Sequence, residues 1–474
     1  MSHSQPTPQR AGRRTAARRS RVNLTTVLAV VLPALSVAVL LLVQQDAGSA
    51  PTYPPTRTTL TSATLICPAG LSGAPAVDLT TASDGVDGQV RVGLGDKAKD
   101  ADLVSGRITS VDDGQGLAVS GTDDAAPGLV AGRGGGDEQA ATSCLPPSAD
   151  RWFTGVGAGA SHRSVLELTN PDSGTAVADV TVLGRDGVVD APRLRGVSVP
   201  GGSTVRLDLS ALVPRTDELT LEVVTARGRI GASLLDRYDR IGSAPASQDW
   251  LPGQTEPSTH NVLLGLAPGS GRRTLTIANP GDDEVRAELR IIDTESVFAP
   301  DGVDEIRVPP RSVVRVPVTA VVDQAVAEGA LGLSVVSTGP VTASARSMVR
   351  GDLSAATAGA PLATASTVLL PELPRGRRAT TRQVVLADAT TAGTVTVTAL
   401  AADGSTLKET TAEVVPDRGA VVRLPAATRM LRVVPARTSV TGSVVTSSSV
   451  GTSVLPLTVP VRNGLVPHVR PGLS

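Results

Sequence analysis

Aromatic side chains are nearly absent from this sequence. Of its 474 residues, the aromatic ones are Tyr53, Trp152, Phe153, Tyr238, Trp250 and Phe298. Proteins that hold single-stranded nucleic acid stack its bases on aromatic rings, and large rings anchor many protein recognition surfaces. The sequence offers little material for either mode, and its cores must be built from small aliphatic side chains.

The sequence also lacks a large excess of either charge, because its formal net charge is −1. The charges are unevenly distributed, however. No acidic residue precedes Asp46, but six arginines do: Arg10, Arg13, Arg14, Arg18, Arg19 and Arg21. This tail carries +6, so the rest of the chain carries −7. A mildly acidic body has no general affinity for nucleic acid, and we expect no nucleic-acid partner.

Cysteine is limited to Cys67 and Cys144. In an oxidising compartment such a pair most simply forms a disulfide. A two-ligand metal site is the alternative, but no histidine lies near either cysteine in the sequence. We predict the disulfide, which would close a loop of 77 residues.

A long uncharged run extends from Val22 to Gln45. Its twenty mostly apolar residues 24–43 would form a helix of about 30 Å, the thickness of the bilayer's hydrocarbon core. We predict one transmembrane helix there, with a cytoplasmic N-terminus because arginines precede the span, and with residues 46–474 extracytoplasmic. The alternative is a secreted protein, cleaved near Ala50 after a small-x-small pattern.

A repeat organises the rest of the chain. The segment "LELTNPDSG" at 166–174 has a near copy, "LTIANPGDD", at 275–283, and Asn170, Asn279 and Asp388 lie 109 residues apart. A second landmark is an arginine in an alternating strand pattern, repeated as Arg206, Arg315 and Arg423. We therefore infer three units. Asn followed by Pro favours an Asx-turn, and we expect it to end the first strand of each unit.

Each unit contains about six short alternating strands in roughly a hundred residues, a pattern typical of immunoglobulin-like β-sandwiches. A β-propeller is the rival, but its blades repeat every ~40 to 50 residues. We predict an all-β protein of tandem sandwiches after one transmembrane helix, with no further convincing helix. The predicted segments are an Arg-rich tail (1–23), the membrane helix (24–43), a stalk (44–57), a divergent β domain holding the disulfide (58–150) and three sandwich repeats (151–250, 251–365 and 366–474).

Short motifs that resemble functional signatures lie in the wrong context. The glycine-rich residues 155–160 are not followed by a helix, as a dinucleotide fingerprint requires, and we interpret them and residues 265–271 as interdomain linkers. The "STLK" at 405–408 follows a turn instead of opening a helix. The "RGD" at 350–352 is too short to assign adhesion. We predict no catalytic residue and no cofactor.

Metal ligation is not indicated either. No histidine has a His, Cys or carboxylate neighbour at ligand spacing; the four are His3, His162, His260 and His468. Adjacent aspartates offer oxygen ligands for calcium at Asp112–Asp113, Asp123–Asp124 and Asp282–Asp283. Aspartate is also a common turn former, so we interpret these pairs as turns and predict no metal site.

The layout resembles a family of actinobacterial, membrane-anchored exported proteins of unknown function with tandem β domains. The resemblance is carried by the Arg-rich start, residues 24–43, Cys67 and the pattern "LxLxNP…AxVxVxxxDG" over 166–187. It implies a cell-envelope setting beside the enzymes that make envelope glycans, and it implies no catalytic residues.

Three hypotheses about function follow. The first is a non-enzymatic, membrane-anchored envelope protein that scaffolds or assists an envelope enzyme or wall polymer. The second is a glycan-binding module, for which the candidate ligand contacts are Trp152, Phe153, Tyr238 and Trp250. The third is an enzyme whose site is assembled between domains.

Overall fold

The structure is a computed structural model that describes residues 24–45, 55–74, 76–135, 139–213, 218–239, 246–373 and 380–466. The predicted tail 1–23, the cleavage pattern near Ala50 and most of the 44–57 stalk lie outside the described residues, as do the side chains of residues 24–26, 30 and 40–45. The chain forms two compact units. One comprises Met1–Arg57 with Leu465–Ser474, and the other is Thr58–Gly464.

The apolar N-terminal segment is helical. Helix α1 spans Leu24–Gln45 and contains Pro33. Within the described residues, no helix combines the length and the apolar character needed to cross a bilayer. Two further helices, α2 (Leu209–Leu212) and α3 (Thr319–Glu328), lie in the larger unit.

The larger unit is all-β and consists of four modules, flanked by β1 (Thr56–Thr59) and β35 (Asn463–Val466). Module 1 contains β2 (Ser62–Cys67), β3 (Ala76–Thr81), β4 (Asp87–Gly93), β5 (Lys99–Val104), β6 (Thr109–Asp112), β7 (Leu117–Thr122), β8 (Leu129–Gly135) and β9 (Ala140–Ser143). Module 2 contains β10 (Asp150–Val156), β11 (His162–Asn170), β12 (Ala176–Gly184), β13 (Gly187–Val188), β14 (Val197–Val199), β15 (Ser203–Asp208), β16 (Leu219–Arg227), β17 (Gly231–Tyr238) and β18 (Ser247–Leu251). Module 3 contains β19 (Ser258–Leu264), β20 (Gly271–Asn279), β21 (Val285–Ile292), β22 (Val297–Phe298), β23 (Ile306–Val308), β24 (Ser312–Pro317), β25 (Gly332–Val349) and β26 (Asp352–Thr357). Module 4 contains β27 (Ser366–Leu369), β28 (Thr381–Ala387), β29 (Gly393–Leu400), β30 (Thr406–Val414), β31 (Ala420–Leu424), β32 (Met430–Ala436), β33 (Thr441–Ser447) and β34 (Thr452–Pro456).

All four modules share one strand order. The first, sixth, third and fourth strands form one antiparallel sheet, and the fifth, second, seventh and eighth form the other. The fourth position is split into β13 and β14 in module 2, and into β22 and β23 in module 3. The long strand β25 supplies both the sixth and the seventh strand of module 3. Module 1 therefore has the same architecture as the three repeats, although its sequence does not align with theirs.

Each module has its own core between its two sheets. In module 2, Leu166 and Leu168 of one sheet meet Val180, Val182 and Leu221 of the other. Corresponding clusters of Val, Leu, Ile and Ala fill the other three modules. The alternation of buried and exposed positions along strands such as β12 places the aliphatic side chains inside, as a period of two requires.

The modules close into a ring. Each eighth strand contacts the eighth strands of the two neighbouring modules, so β9, β18, β26 and β34 surround a common axis. A hydrophobic cluster seals each of the four interfaces. The clusters are Leu71, Ala74, Ala140 and Trp250 (modules 1 and 2), Trp152, Leu183, Ala278 and Val313 (2 and 3), Val262, Leu264, Ile292, Leu331, Val385, Ala387 and Val445 (3 and 4), and Val130, Leu369 and Met430 (4 and 1).

Polar contacts accompany every interface. The closing contact joins modules 4 and 1, where Arg429 Nη2 donates to Asp78 Oδ2 at 2.7 Å. Modules 1 and 2 are bridged by the hydrogen bond from Ala69 N to Glu167 Oε2 (2.9 Å), and modules 2 and 3 by the one between Thr154 Oγ1 and Thr342 Oγ1 (2.6 Å). Modules 3 and 4 are bridged by the hydrogen bond from Gly419 N to Asp293 O (2.6 Å). The ring is thus closed by the same kinds of contact that hold successive modules together.

The predicted Asx-turns are confirmed for the two Asn-Pro pairs. The Oδ1 atoms of Asn170 and Asn279 accept hydrogen bonds from the backbone N–H two residues on, at 3.0 and 2.9 Å. These turns end the second strand of each module, not the first as expected, because β10 and β19 precede them. Module 1 uses Thr81, whose Oγ1 accepts from Ser83 N at 3.1 Å. Asp388 differs, since its backbone is left-handed with φ of 58°.

The expectation of no further convincing helix was wrong at α3. Its sequence places apolar side chains one turn apart, of which Val322 and Ala325 are buried, and Gly329 ends the helix in the left-handed conformation. The helix carries Asp323, which accepts from Arg273 Nε at 2.6 Å. It therefore supplies the counter-charge for an arginine that is only 2% exposed.

Two other predictions have clear outcomes. The Cys67–Cys144 disulfide is confirmed, and it joins the end of β2 to the residue after β9. The linker interpretation of residues 155–160 was wrong, because they connect β10 to β11 inside module 2. Glycine is needed there: a Cβ on Gly157 would lie 2.3 Å from the His162 ring.

Candidate functional site

A cavity of about 370 Å³ lies where the four eighth strands end. All four modules contribute to its wall, through residues 66 and 68, 141–143 and 145–146, 151 and 153, 231–234, 250–255, 357–362 and 455–459. Its size falls within the range of small-molecule sites, roughly 300 to 1,000 Å³. It exists only because the ring is closed.

The wall of this cavity is mainly apolar. Aliphatic side chains include Leu234, Leu251, Leu362 and Leu457, and Trp250 adds an aromatic face. Prolines also line it; they are Pro68, Pro146, Pro252, Pro361 and Pro456. Because proline has no backbone N–H, none of these five positions offers a main-chain donor to the cavity.

Arg151 brings a charge into this wall. It lines the cavity, it is 7% exposed, and of the wall residues that the structure describes it alone is charged. Burial lowers the pKa of its guanidinium, and the neighbouring charge of Asp150 offsets only part of this effect. Within the described part of the chain, nothing gives this guanidinium a hydrogen bond or an ion pair. Such an unpaired buried charge costs several kcal/mol.

The other deeply buried arginines all have partners. Arg273 pairs with Asp323, and Arg346 Nη2 donates to Glu218 Oε1 at 2.6 Å. The guanidinium groups of the remaining two donate to backbone carbonyls: Arg133 to Asp113 and Gln115, and Arg382 to Pro371 and Thr428. The lack of a partner for Arg151 is therefore specific to the cavity.

A second polar group of the wall lacks a partner. The Oγ atom of Ser233 is shielded from solvent and makes no hydrogen bond within the described residues. Ser233 lies on β17, opposite Glu167 of β11. The cavity thus combines an apolar body with one cation that the protein itself leaves unpaired, while the Ser233 hydroxyl lies in the wall, closed off from solvent.

The structure brings together only two of the four predicted ligand contacts. Phe153 and Trp250 line the cavity and are 2% and 4% exposed. Trp152 points to the opposite face of β10, into the interface of modules 2 and 3. Tyr238 packs against Arg272, whose Cζ atom lies 4.9 Å from the centre of the tyrosine ring.

Arg151 was missed at the sequence level, although a signal existed. In "DRWF" it shares one face of an alternating strand with Phe153, which is a core residue. An arginine on the inward face of a strand needs a partner, and the nearest acid in the sequence, Asp150, falls on the opposite face of the strand.

A buried polar cluster joins modules 2 and 3 outside the cavity. His162 Nε2 lies 2.8 Å from Asp236 Oδ1, and Arg346 Nη1 lies 2.8 Å from His162 Nδ1. Ser164 Oγ donates to Asp236 Oδ1, at 2.6 Å, and not to the imidazole, so the nucleophile-to-base bond of a catalytic triad is not formed. Burial alone would raise the pKa of Asp236, but the charge and hydrogen bond of His162 hold it below its usual value.

A pair of carboxyl groups lies on the face of β10 and β16 away from the cavity. Asp150 Oδ2 accepts from Trp152 Nε1 at 3.2 Å, and Glu222 is the cross-strand partner of Trp152. Burial, together with the Asp150 charge, raises the pKa of Glu222. Burial also raises the pKa of Asp150.

The remaining sequence motifs have structural roles. Asp352 of the "RGD" is 8% exposed and accepts a hydrogen bond from Thr452 N at 2.8 Å, so it ties module 3 to module 4. Among the acidic pairs, Asp113 accepts from Gln115 N in a turn, and Asp282 pairs with Arg311. Over the described residues, no three His, Cys, Asp or Glu side chains come close enough to hold a metal ion.

Comparison with known proteins gives one match. Residues 84–425, more than two thirds of the chain, match the family of unknown function DUF5719. The match begins after the second strand of module 1 and ends after the fifth strand of module 4, so it touches every module. No curated protein matches the chain. The chain belongs to the family of unknown function DUF5719.

Proposed function

We propose that this chain is a non-enzymatic, membrane-anchored protein of the cell envelope, whose ring of four modules binds a small molecule outside the membrane. The observation that carries the proposal is the cavity at the end of the eighth strands, with a wall drawn from all four modules and the unpartnered Arg151. A ligand-binding role explains why a costly buried charge is retained. In this role the protein would deliver or present its ligand to an envelope enzyme.

The disulfide supports an extracytoplasmic location, because disulfides persist in oxidising compartments. The uncharged stretch that contains α1, preceded by arginines, supports anchoring by a single span with a cytoplasmic N-terminus. Fusions to a reporter active only outside the cytoplasm test this point. We expect activity for a fusion after Gly464 and none for a fusion before Leu24.

We also propose that the modules are β-sandwiches of immunoglobulin-like kind. Two antiparallel sheets around one aliphatic core, in roughly a hundred residues, support this assignment. The second and fifth strands share one sheet and the third and sixth share the other, as B and E and as C and F do in immunoglobulin domains. The first, fourth and seventh strands lie in the opposite sheet to A, D and G, and the eighth strand has no counterpart in the seven-stranded domain.

Glycan binding on exposed rings has little support, since Trp152, Phe153 and Trp250 are at most 4% exposed and the half-buried ring of Tyr238 is covered by the Arg272 guanidinium. The ligand-binding proposal is tested by native purification of the full chain. We expect a small molecule, released on denaturation and detected by mass spectrometry, that is absent from the cavity-filled variant Ser233→Leu. Equal recovery from both proteins would refute a binding role for the cavity.

A further inference from the structure

We propose that the central cavity binds an amphiphilic anion, with the carboxylate or phosphate group of the ligand on Arg151 and its apolar body against the leucine and proline wall. This inference rests on the proposed binding function and adds the chemical class of the ligand. Neither the sequence motifs nor the family membership assigns such a site.

The negative charge of the ligand is inferred from the charge of the residues that line the cavity. Among the described residues, Arg151 is the one charged side chain of the wall, and no Asp or Glu from these parts of the chain lines the cavity. A guanidinium presents a planar fork of donors that matches carboxylate and phosphate oxygens in pairs. Arg151 as a whole is 7% exposed, so few waters reach this fork, whereas an anion in the cavity would pair with it directly. A neutral or cationic ligand would leave it unpaired.

The apolar body follows from the size and the composition of the cavity. A volume of about 370 Å³ is far larger than an inorganic anion, and aliphatic, proline and aromatic side chains make up most of its surface. An anion without an apolar portion would leave this surface against water.

Gly253 supports the placement of Arg151. A Cβ at this position would lie 2.7 Å from Cδ of Arg151 and 3.0 Å from the Phe153 ring. Glycine at 253 therefore lets the stem of Arg151 pass beside the ring and hold the guanidinium at the cavity. The arrangement is a built feature of the wall and not a surface side chain that folds inward.

Binding is measured by isothermal titration of the full-length protein with decanoate, decyl phosphate, decanol and decyltrimethylammonium below their micellar concentrations. We expect saturable binding of one or both anions, and at least tenfold weaker binding of the alcohol and the cation. The tighter of the two anions identifies the head group. In the single-tryptophan variant Trp152→Phe, the bound anion should shift the emission of Trp250, which lines the cavity.

The decisive variant is Arg151→Gln, which keeps a polar side chain and removes the charge. We expect it to weaken anion binding about 10- to 100-fold, as loss of a charged hydrogen-bond partner does, and to leave decanol binding unchanged. The matched control is Arg290→Gln, an exposed arginine that pairs with Glu288 away from the cavity. Near-ultraviolet circular dichroism confirms that each variant is folded.

The inference is overturned if decanol binds as tightly as the anions, if Arg151→Gln binds them as the wild type does, or if neither anion binds. Its failure is distinguishable from failure of the proposed function. A small molecule that co-purifies with the wild type and not with Ser233→Leu would uphold the binding function even if none of the anionic probes bound.

Discussion

The contact between Asp78 and Arg429 offers the sharpest test of ring closure, because these residues are 351 positions apart in sequence. Their side chains are 15% and 17% exposed, which places the pair between exposed ion pairs and fully buried ones. Arg429 Nε also donates to the Leu370 carbonyl at 3.0 Å. We expect Asp78→Ala to cost about 2 kcal/mol, Arg429→Ala about 3 kcal/mol, and the coupling between them to be about 1–2 kcal/mol.

The free energy of unfolding is measured by urea titration of the full chain, followed by far-ultraviolet circular dichroism, for both single variants and the double variant. The combination of Asp78→Ala with Arg290→Ala is the control, and its effects should add within about 0.3–0.5 kcal/mol because these residues share no contact. If Asp78→Ala and Arg429→Ala also add within that range, modules 1 and 4 do not meet and the ring is open.

Three further outcomes are expected. Replacing Cys67 and Cys144 by serine should lower the free energy of unfolding by about 2–5 kcal/mol, and a urea midpoint unaffected by the change would contradict this. Glu222→Gln should stabilise the protein at pH 7, because the raised pKa of Glu222 means that its ionised form is disfavoured in the folded state. This gain in the free energy of unfolding should vanish below the ordinary glutamate pKa, and a gain that persists in acid would exclude this cause. Gly231→Ala should lower the free energy of unfolding by about 1–3 kcal/mol, because the added Cβ would lie 2.4 Å from the Ile66 side chain of module 1. Gly88→Ala, with open space around the added Cβ, should be nearly neutral. Equal thermal midpoints for the two variants would refute the packing between modules 1 and 2.

Local patterning predicted much of the fold. The alternation of apolar residues and the 109-residue spacing of Asn170 and Asn279 predicted three β units, and the side-chain acceptors of these residues predicted their turns. Module 1 was not recognised as a fourth copy because the residue that forms the turn after its second strand is a threonine and not an asparagine. Thr81 makes the corresponding turn with a hydroxyl, and it lies 89 residues before Asn170. A search for any side-chain acceptor after an alternating strand would have found it.

The cavity could not be predicted from the sequence. Its wall combines residues such as Ile66, Arg151 and Leu457, which belong to modules that meet only when the ring closes. Strand periodicity predicts which face of a strand is buried, but it does not predict which other module covers that face. Trp250 illustrates the point: the sequence indicated it as a candidate ligand contact, but its place in the cavity wall depends on module 1 and module 4 as neighbours.

The closing interface also sets the order in which this protein can fold. Val130 of module 1 finds its apolar partners, Leu369 and Met430, some 240 to 300 residues later in the chain. Contacts of such long sequence separation form slowly, and partly assembled β proteins expose strand edges in the meantime. During synthesis, the first three modules would emerge with an uncovered apolar face until module 4 follows. We expect assembly of the larger unit to need protection by chaperones in that interval, and the last hundred residues to govern its yield.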